Sequence, residues 1–241
     1  MSRIFPQQIS APGSGDNAPT EGEYRVYGAL RDCLQPDADF CCWFEVALGP
    51  ARKRRWPDFV VFGRRVGFCV IEVKDWRADQ IRNFTKAEVW VGARQSGNPE
   101  RQAKKYGDWL LEELRRHSIH PDDGPVPVGR LIAFPFISRD DYRHRGFDKV
   151  IPAEMALLKD DLDPGSESFV GANEKAFAAR IAAVQPFACP KLTAEEVARI
   201  EDVLWPACVQ IPVRAGGDKE SFDRQVLYLD EYQARVARTL Q

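Results

Sequence analysis

Two apolar runs set close together constrain this chain more than any other feature. Trp56-Pro57-Asp58-Phe59-Val60-Val61-Phe62-Gly63 and Val66-Gly67-Phe68-Cys69-Val70-Ile71-Glu72-Val73-Lys74 are rich in Val and Phe and are split only by a two-residue turn at Arg64-Arg65. Such runs, bounded by glycine, are the adjacent strands of a buried hairpin. Each carries charge at one end: Trp56-Pro57-Asp58 opens the first, and Glu72 and Lys74 close the second. Side chains alternate along a strand, so Glu72 and Lys74 share a face that Ile71 and Val73 avoid, and antiparallel pairing brings Asp58 to the same end. Two carboxylates and an ammonium thus converge beside a sheet.

That set suits phosphodiester hydrolysis. Magnesium takes carboxylate oxygens, water and phosphate oxygens, so Asp58, Glu72 and the backbone carbonyl of Val73 are candidate ligands for one or two ions. Lys74 is placed to orient or deprotonate an attacking water and to stabilise charge developing on the phosphorane. A plainer reading exists, since strands often end in charged residues that only face solvent. Pro57-Asp58, one hairpin upstream, is what sets this Glu-x-Lys apart.

Over the whole chain Lys and Arg total 34 against 36 Asp and Glu, so the net charge of −2 makes no global case for a nucleic-acid partner. The hairpin region differs. Between Pro50 and Lys74 the basic residues are Arg52, Lys53, Arg54, Arg55, Arg64, Arg65 and Lys74, against only Asp58 and Glu72. Arg52, Lys53, Arg54 and Arg55 lead directly toward Asp58 and are candidate DNA contacts, because a phosphate backbone approaching the carboxylates would pass them. A solvated loop is the plain alternative.

An apolar fraction of 44% and a length of 241 residues allow one sizeable soluble domain with a small appendage. The cysteines have no zinc spacing: Cys41 and Cys42 are adjacent, Cys33, Cys69, Cys189 and Cys208 are isolated, and there is no Cys-x-x-Cys. No signal peptide or membrane span is visible, so the expectation is a reducing, cytoplasmic compartment without membrane association.

Residues 1–20, rich in Pro, Gly and Gln, are expected to form a loose arm. A helix is expected over residues 21–34, burying Tyr24, Tyr27, Leu30 and Leu34. Its Glu23 completes a Thr20-x-x-Glu23 capping box, which alone would explain it. Strands are expected over residues 40–48, 80–84, 88–91 and 126–137, and a long amphipathic helix over residues 98–116. On that helix Gln102-Ala103-Lys104-Lys105-Tyr106 sets Gln102 and Tyr106 four apart on one face, where they could orient Lys74 or a DNA phosphate; a merely polar face is the alternative. His117-x-x-His120 straddles a helix end and a Pro-Asp-Asp-Gly turn and lacks the fixed frame of a zinc site. Asp140, Asp141, Asp148, Asp160, Asp161 and Asp163 read as solubilising surface charge. Two further helices are expected, over residues 172–184 and 193–204.

Pro57-Asp58 and Glu72-Val73-Lys74, with Gly22-Glu23, Asp75-Trp76 and Asn98-Pro99 leading into Gln102, resemble the nuclease-related domain (NERD) branch of the PD-(D/E)XK nuclease superfamily over residues 21–160. One stretch departs: that branch usually has Gly-Glu-Ile-Asp where this chain has Arg55-Trp56-Pro57-Asp58, which keeps the aspartate. The resemblance implies an α/β, restriction-endonuclease-like core with a mixed central sheet of about five strands flanked by helices. It implies a magnesium- or manganese-dependent deoxyribonuclease, with Asp58, Glu72, Lys74, Glu23 and Gln102 as catalytic residues and the metal on Asp58, Glu72 and Val73. The DNA would also meet Lys104 and Tyr106, since Gln-x-x-x-Tyr resembles a motif of RecB-like members.

Such domains are often fused to superfamily I helicases, and Gln225-Val226-Leu227-Tyr228-Leu229-Asp230-Glu231-Tyr232-Gln233 resembles the entry to such a motor. No Gly-x-x-x-x-Gly-Lys-Ser/Thr phosphate loop accompanies it. The expected organisation is an arm (1–20), a nuclease core (21–165), and a helical extension with the possible start of a helicase region (166–241). The alternative from another class is a non-cleaving DNA-binding module that docks a helicase. Repair and antiviral defence would both fit.

Overall fold

The computed structural model describes residues 4–6, 8–14, 18–34, 39–46, 48, 56–117, 119 and 124–204. Residues 52–55, His120 with the turn after it, Cys208 and the 225–233 segment lie outside the described residues. The strands are β1 (Ile4–Phe5), β2 (Phe40–Phe44), β3 (Phe59–Gly63), β4 (Gly67–Val73), β5 (Ile81–Phe84), β6 (Glu88–Val91), β7 (Arg94–Gly97), β8 (Val128–Phe134) and β9 (Ala156–Leu158). The helices are α1 (Glu21–Cys33), α2 (Pro99–Arg116), α3 (Arg139–His144), α4 (Glu174–Ala182) and α5 (Ala194–Leu204). The chain divides into two compact units, residues 1–193 and 194–241. The described part of the second is α5, whose Val197, Ile200 and Leu204 fall on one buried face.

The central sheet of the first unit has six strands in the order β1-β2-β3-β4-β8-β9. The β2–β3 and β3–β4 pairs are antiparallel, whereas β1–β2, β4–β8 and β8–β9 are parallel. The sheet is therefore mixed, but its membership differs from the expected five strands: 80–84 and 88–91 leave it for a second sheet, Ala156–Leu158 extends it beyond β8, and Ile4–Phe5, from the expected loose arm, adds an edge strand with Ile4 fully buried. β5, β6 and β7 form a separate three-stranded antiparallel sheet within the crossover from β4 to β8. Its third strand, Arg-Gln-Ser-Gly, has no apolar alternation and so escaped sequence reading.

The hairpin turn is one residue longer than expected. Gly63 pairs with Gly67, leaving Arg64, Arg65 and Val66 as the loop. Gly67 has φ +83°, the left-handed residue that closes a three-residue hairpin loop, and a Cβ there would lie 2.6 Å from the carbonyl oxygen of Pro127.

Both faces of β3 and β4 are covered, which is why they read as unbroken apolar runs. Phe59, Val61, Cys69, Ile71 and Val73 pack with Val26, Tyr27, Leu30 and Cys33 of α1 and Phe177 and Ile181 of α4. Burial of each large side chain contributes roughly 1.5–3 kcal/mol. On the other side α2 lies against β4 and β8, burying Ala103, Leu110 and Leu114. α4, expected within a C-terminal extension, thus belongs to the core.

Two side chains and one strand differ from expectation. Tyr24 is 43% exposed, because α1 turns Val26 rather than Tyr24 toward the sheet. Asp161 is buried, accepting the Leu158 amide at 2.8 Å and pairing with Arg139 at 2.5 Å. Residues 40–48 do not continue as one strand: β2 stops at Phe44, and Glu45 takes φ +50°. Among the described residues Cys33, Cys41, Cys42, Cys69 and Cys189 form no disulfide. No helix among the described residues is long and apolar enough to cross a membrane.

Candidate active site

Phe59 pairs with Ile71, so the register places Asp58, one residue earlier, opposite Glu72. Ile71 and Val73 point into the α1 core, leaving Glu72 on the α2 side, as alternation requires. The Asp58 carboxylate accepts the Val73 amide at 2.6 Å, so Val73 meets Asp58 through its N–H. Lys74 donates to Glu72 Oε1 at 2.5 Å. Glu72 is only 2% exposed, and its Oε2 has no hydrogen-bond partner among the described residues.

Such a site resists holding two negative charges. Burial and then the Glu72 charge push the Asp58 carboxyl up to about 8, against the Val73 amide and Lys74, which favour its ionised form. Burial also raises Glu72, with Lys74 and the Gln102 amide pulling the other way. Desolvation plus a like charge is the pattern that marks functional carboxylate pairs.

Glu23 forms the capping box, and its charge is felt at the carboxylate pair. Its carboxylate accepts the Thr20 amide at 2.6 Å while its own amide donates to Thr20 Oγ1 at 3.2 Å, a complete capping box. Its charge also bears on Asp58 and Glu72. Asp75 brings it there: immediately after Lys74, it accepts the Gly22 amide at 3.0 Å and the Thr20 hydroxyl at 3.2 Å. The end of β4 thereby caps α1. A Cβ on Gly22 would lie 1.9 Å from Asp75 Oδ1, so the tie requires glycine. Gly22→Ala is expected to lose about 1–2 kcal/mol in urea unfolding, as a lost cap does. Asp75→Ala should lose a similar amount and the double variant no more than either; additive losses would show that the two residues do not act through one contact.

α2 starts at Asn98, which accepts the Glu100 amide at 2.8 Å and donates to the Thr85 carbonyl at 3.0 Å, with Pro99 in the first turn. Gln102 donates to Tyr106 Oη at 3.1 Å, and the Tyr106 hydroxyl feels Glu72, Asp58 and Lys74. The pair therefore faces the carboxylates. Lys104, two residues from each, is exposed on the opposite side of the helix. Glu45 was not singled out in the sequence. Its amide donates to the Asp58 carbonyl at 3.0 Å, and burial followed by the Glu23 charge raises its carboxyl. Only the β2–β3 register places it there, and no local motif reports that register. Among the described residues no three His, Cys, Asp or Glu side chains gather closely enough to hold an ion. The closely placed carboxylates are thus the pair Asp58 and Glu72.

Residues 18–135 match the family model of the nuclease-related domain. These residues are a NERD domain. The match runs from the cap of α1 to the end of β8 and takes in every described residue discussed above as part of the site. The match supports a nuclease-related function for this stretch. The comparisons with curated proteins and with solved structures returned no match.

Proposed function

We propose that the NERD domain hydrolyses DNA phosphodiester bonds in a metal-dependent reaction at Asp58, Glu72 and Lys74. The observation that carries this reading is the carboxylate pair of half-buried Asp58 and buried Glu72, with Glu72 Oε2 unpartnered among the described residues and Lys74 bonded to Oε1. Two adjacent carboxylates, one buried and one half-buried, both shifted upward and with one oxygen unpartnered, fit a hard divalent cation, which would restore the charge balance that burial upsets. Asp58, Glu72 and the Val73 carbonyl would hold magnesium or manganese, which when bound polarises the phosphate and acidifies a water.

Lys74, reaching past Glu72, is placed to orient the attacking water and to stabilise the phosphorane charge. Gln102 and Tyr106 position the lysine and the phosphate from α2. Glu23 and Glu45 add negative potential at the edge, and Asp75 holds Glu23 in place. Residues 52–55, outside the described part, would track the DNA backbone toward Asp58. A helicase partner, in cis or trans, rests on the likeness of the 225–233 segment and on the fusions usual for such domains.

The closed Lys74–Glu72 ion pair favours a second reading, a DNA-binding module that docks a helicase without cutting, because an ammonium already occupies one carboxylate oxygen. Lys74→Ala separates the two. In the nuclease it should lower single-turnover cleavage by about a hundredfold while DNA affinity changes only a few fold. Equal losses in both would make Lys74 one more phosphate contact. Glu23→Gln tests the edge charge: the amide oxygen can still cap Thr20, so stability should hold within about 1 kcal/mol while activity falls. Full activity would return Glu23 to capping alone.

A further inference from the structure

The large apolar side chains exposed among the described residues are Tyr24, Trp56 and Phe187, at 43%, 46% and 47%. Two of them bracket the site in sequence: Tyr24 follows Glu23, and Trp56 precedes Pro57-Asp58. The core does not recruit either, since α1 buries Val26, Tyr27, Leu30 and Cys33 instead.

A third aromatic follows β8. Phe136 lies just past Ala133, whose carbonyl accepts the Lys74 amide. Its half-buried ring has the Arg25 guanidinium 4.7 Å and the Arg77 guanidinium 5.4 Å from its centroid. Arg25 belongs to α1 and shares its charge with Glu21 at 2.8 Å, and Arg77 follows closely on Lys74. Both arginines are exposed. The ends of α1, β4 and β8 meet here, tied by Asp75 to the Gly22 amide and by Gly22 against Pro135.

In a duplex the base faces are stacked away, and a protein meets phosphates and groove edges. Exposed rings and ring-stacked guanidinium groups serve unpaired bases, each of which offers a π-face to any sequence-tolerant platform. Isolated surface aromatics need no explanation. Rings that flank Glu23 and Asp58 in sequence, with a phenylalanine carrying two guanidinium groups three residues past the Lys74-bonded Ala133, form a pattern with a direction.

We propose that Tyr24, Trp56 and the Arg25–Phe136–Arg77 stack form a base-stacking platform bordering the Asp58–Glu72 site, which selects single-stranded DNA over duplex. The proposal rests on the nuclease reading for its ligand and deepens it by naming the substrate class.

The test is fluorescence anisotropy on the full chain in chelator, with a labelled oligothymidylate and a labelled blunt duplex of equal length. The oligothymidylate should bind at least about tenfold tighter than the duplex, and Trp56→Ala and Phe136→Leu should each weaken it about fivefold or more while duplex binding moves less than about twofold. Phe136→Leu keeps apolar volume and removes the π-face; if it fails to fold, Tyr24→Ala and Trp56→Ala decide. Equal affinity for the two DNAs, or unchanged oligothymidylate binding in the variants, overturns the proposal. A parent that prefers oligothymidylate yet cuts nothing with magnesium loses the nuclease reading and keeps this one. A parent that cuts both DNAs alike without preferring the single strand keeps the nuclease reading and loses this one.

Discussion

Asp58→Asn is expected to cut DNA cleavage by at least about a hundredfold, or ~2.7 kcal/mol of transition-state stabilisation, while making the protein more stable. The two effects share a cause. Asparagine keeps the shape and an acceptor oxygen for the Val73 amide, held at 2.6 Å in the parent, so the strand end need not move. It removes the charge that burial and Glu72 oppose, and with it half of the carboxylate pair. A purely structural aspartate predicts the reverse, a less stable protein with unaltered activity. Cleavage rates and urea midpoints on the same preparation separate these outcomes.

The second large effect is on pH. Asp58 titrates near 8 in the folded chain, against an ordinary value of 3.8, so between about pH 4 and pH 8 the native state keeps a proton that the unfolded state has released. Stability in chelator should therefore fall as pH rises through that window, with a slope of at most about 1.4 kcal/mol per unit for one proton, and level off above it. Glu72, raised by burial, adds in the same direction. A divalent cation favours the ionised pair, so magnesium should raise the melting temperature more at pH 8 than at pH 5. Comparing parent with Asp58→Asn at each pH removes the background of other groups. A parent and variant with parallel profiles would show that Asp58 is not held protonated.

The hairpin was legible because burial on both faces leaves an unbroken apolar signal, and Glu72 stood out because a charge inside such a run must be explained. Asp58 followed from antiparallel register. Glu23 and Thr20 were legible as a cap, whereas the tie from Asp75 to Gly22 spans the sequence between β4 and α1 and has no local pattern. Glu45 was hidden for the same reason: it reaches the site only through the pairing of β2 with β3. The edge strand at Ile4–Phe5 and the polar β7 were too short or too polar to show a period-two signal. Tyr24 misled in an informative way, since helical spacing alone did not decide between it and Val26 as the buried residue.

Incubating the full chain with end-labelled linear DNA, closed circular DNA and single-stranded DNA, in magnesium, manganese or chelator, tests the central claim most directly. The account predicts product in either metal, none in chelator, and none from Glu72→Gln at matched concentration. Binding without product in any metal, by a folded parent, would contradict it and leave the NERD domain as a module that holds DNA without cutting it.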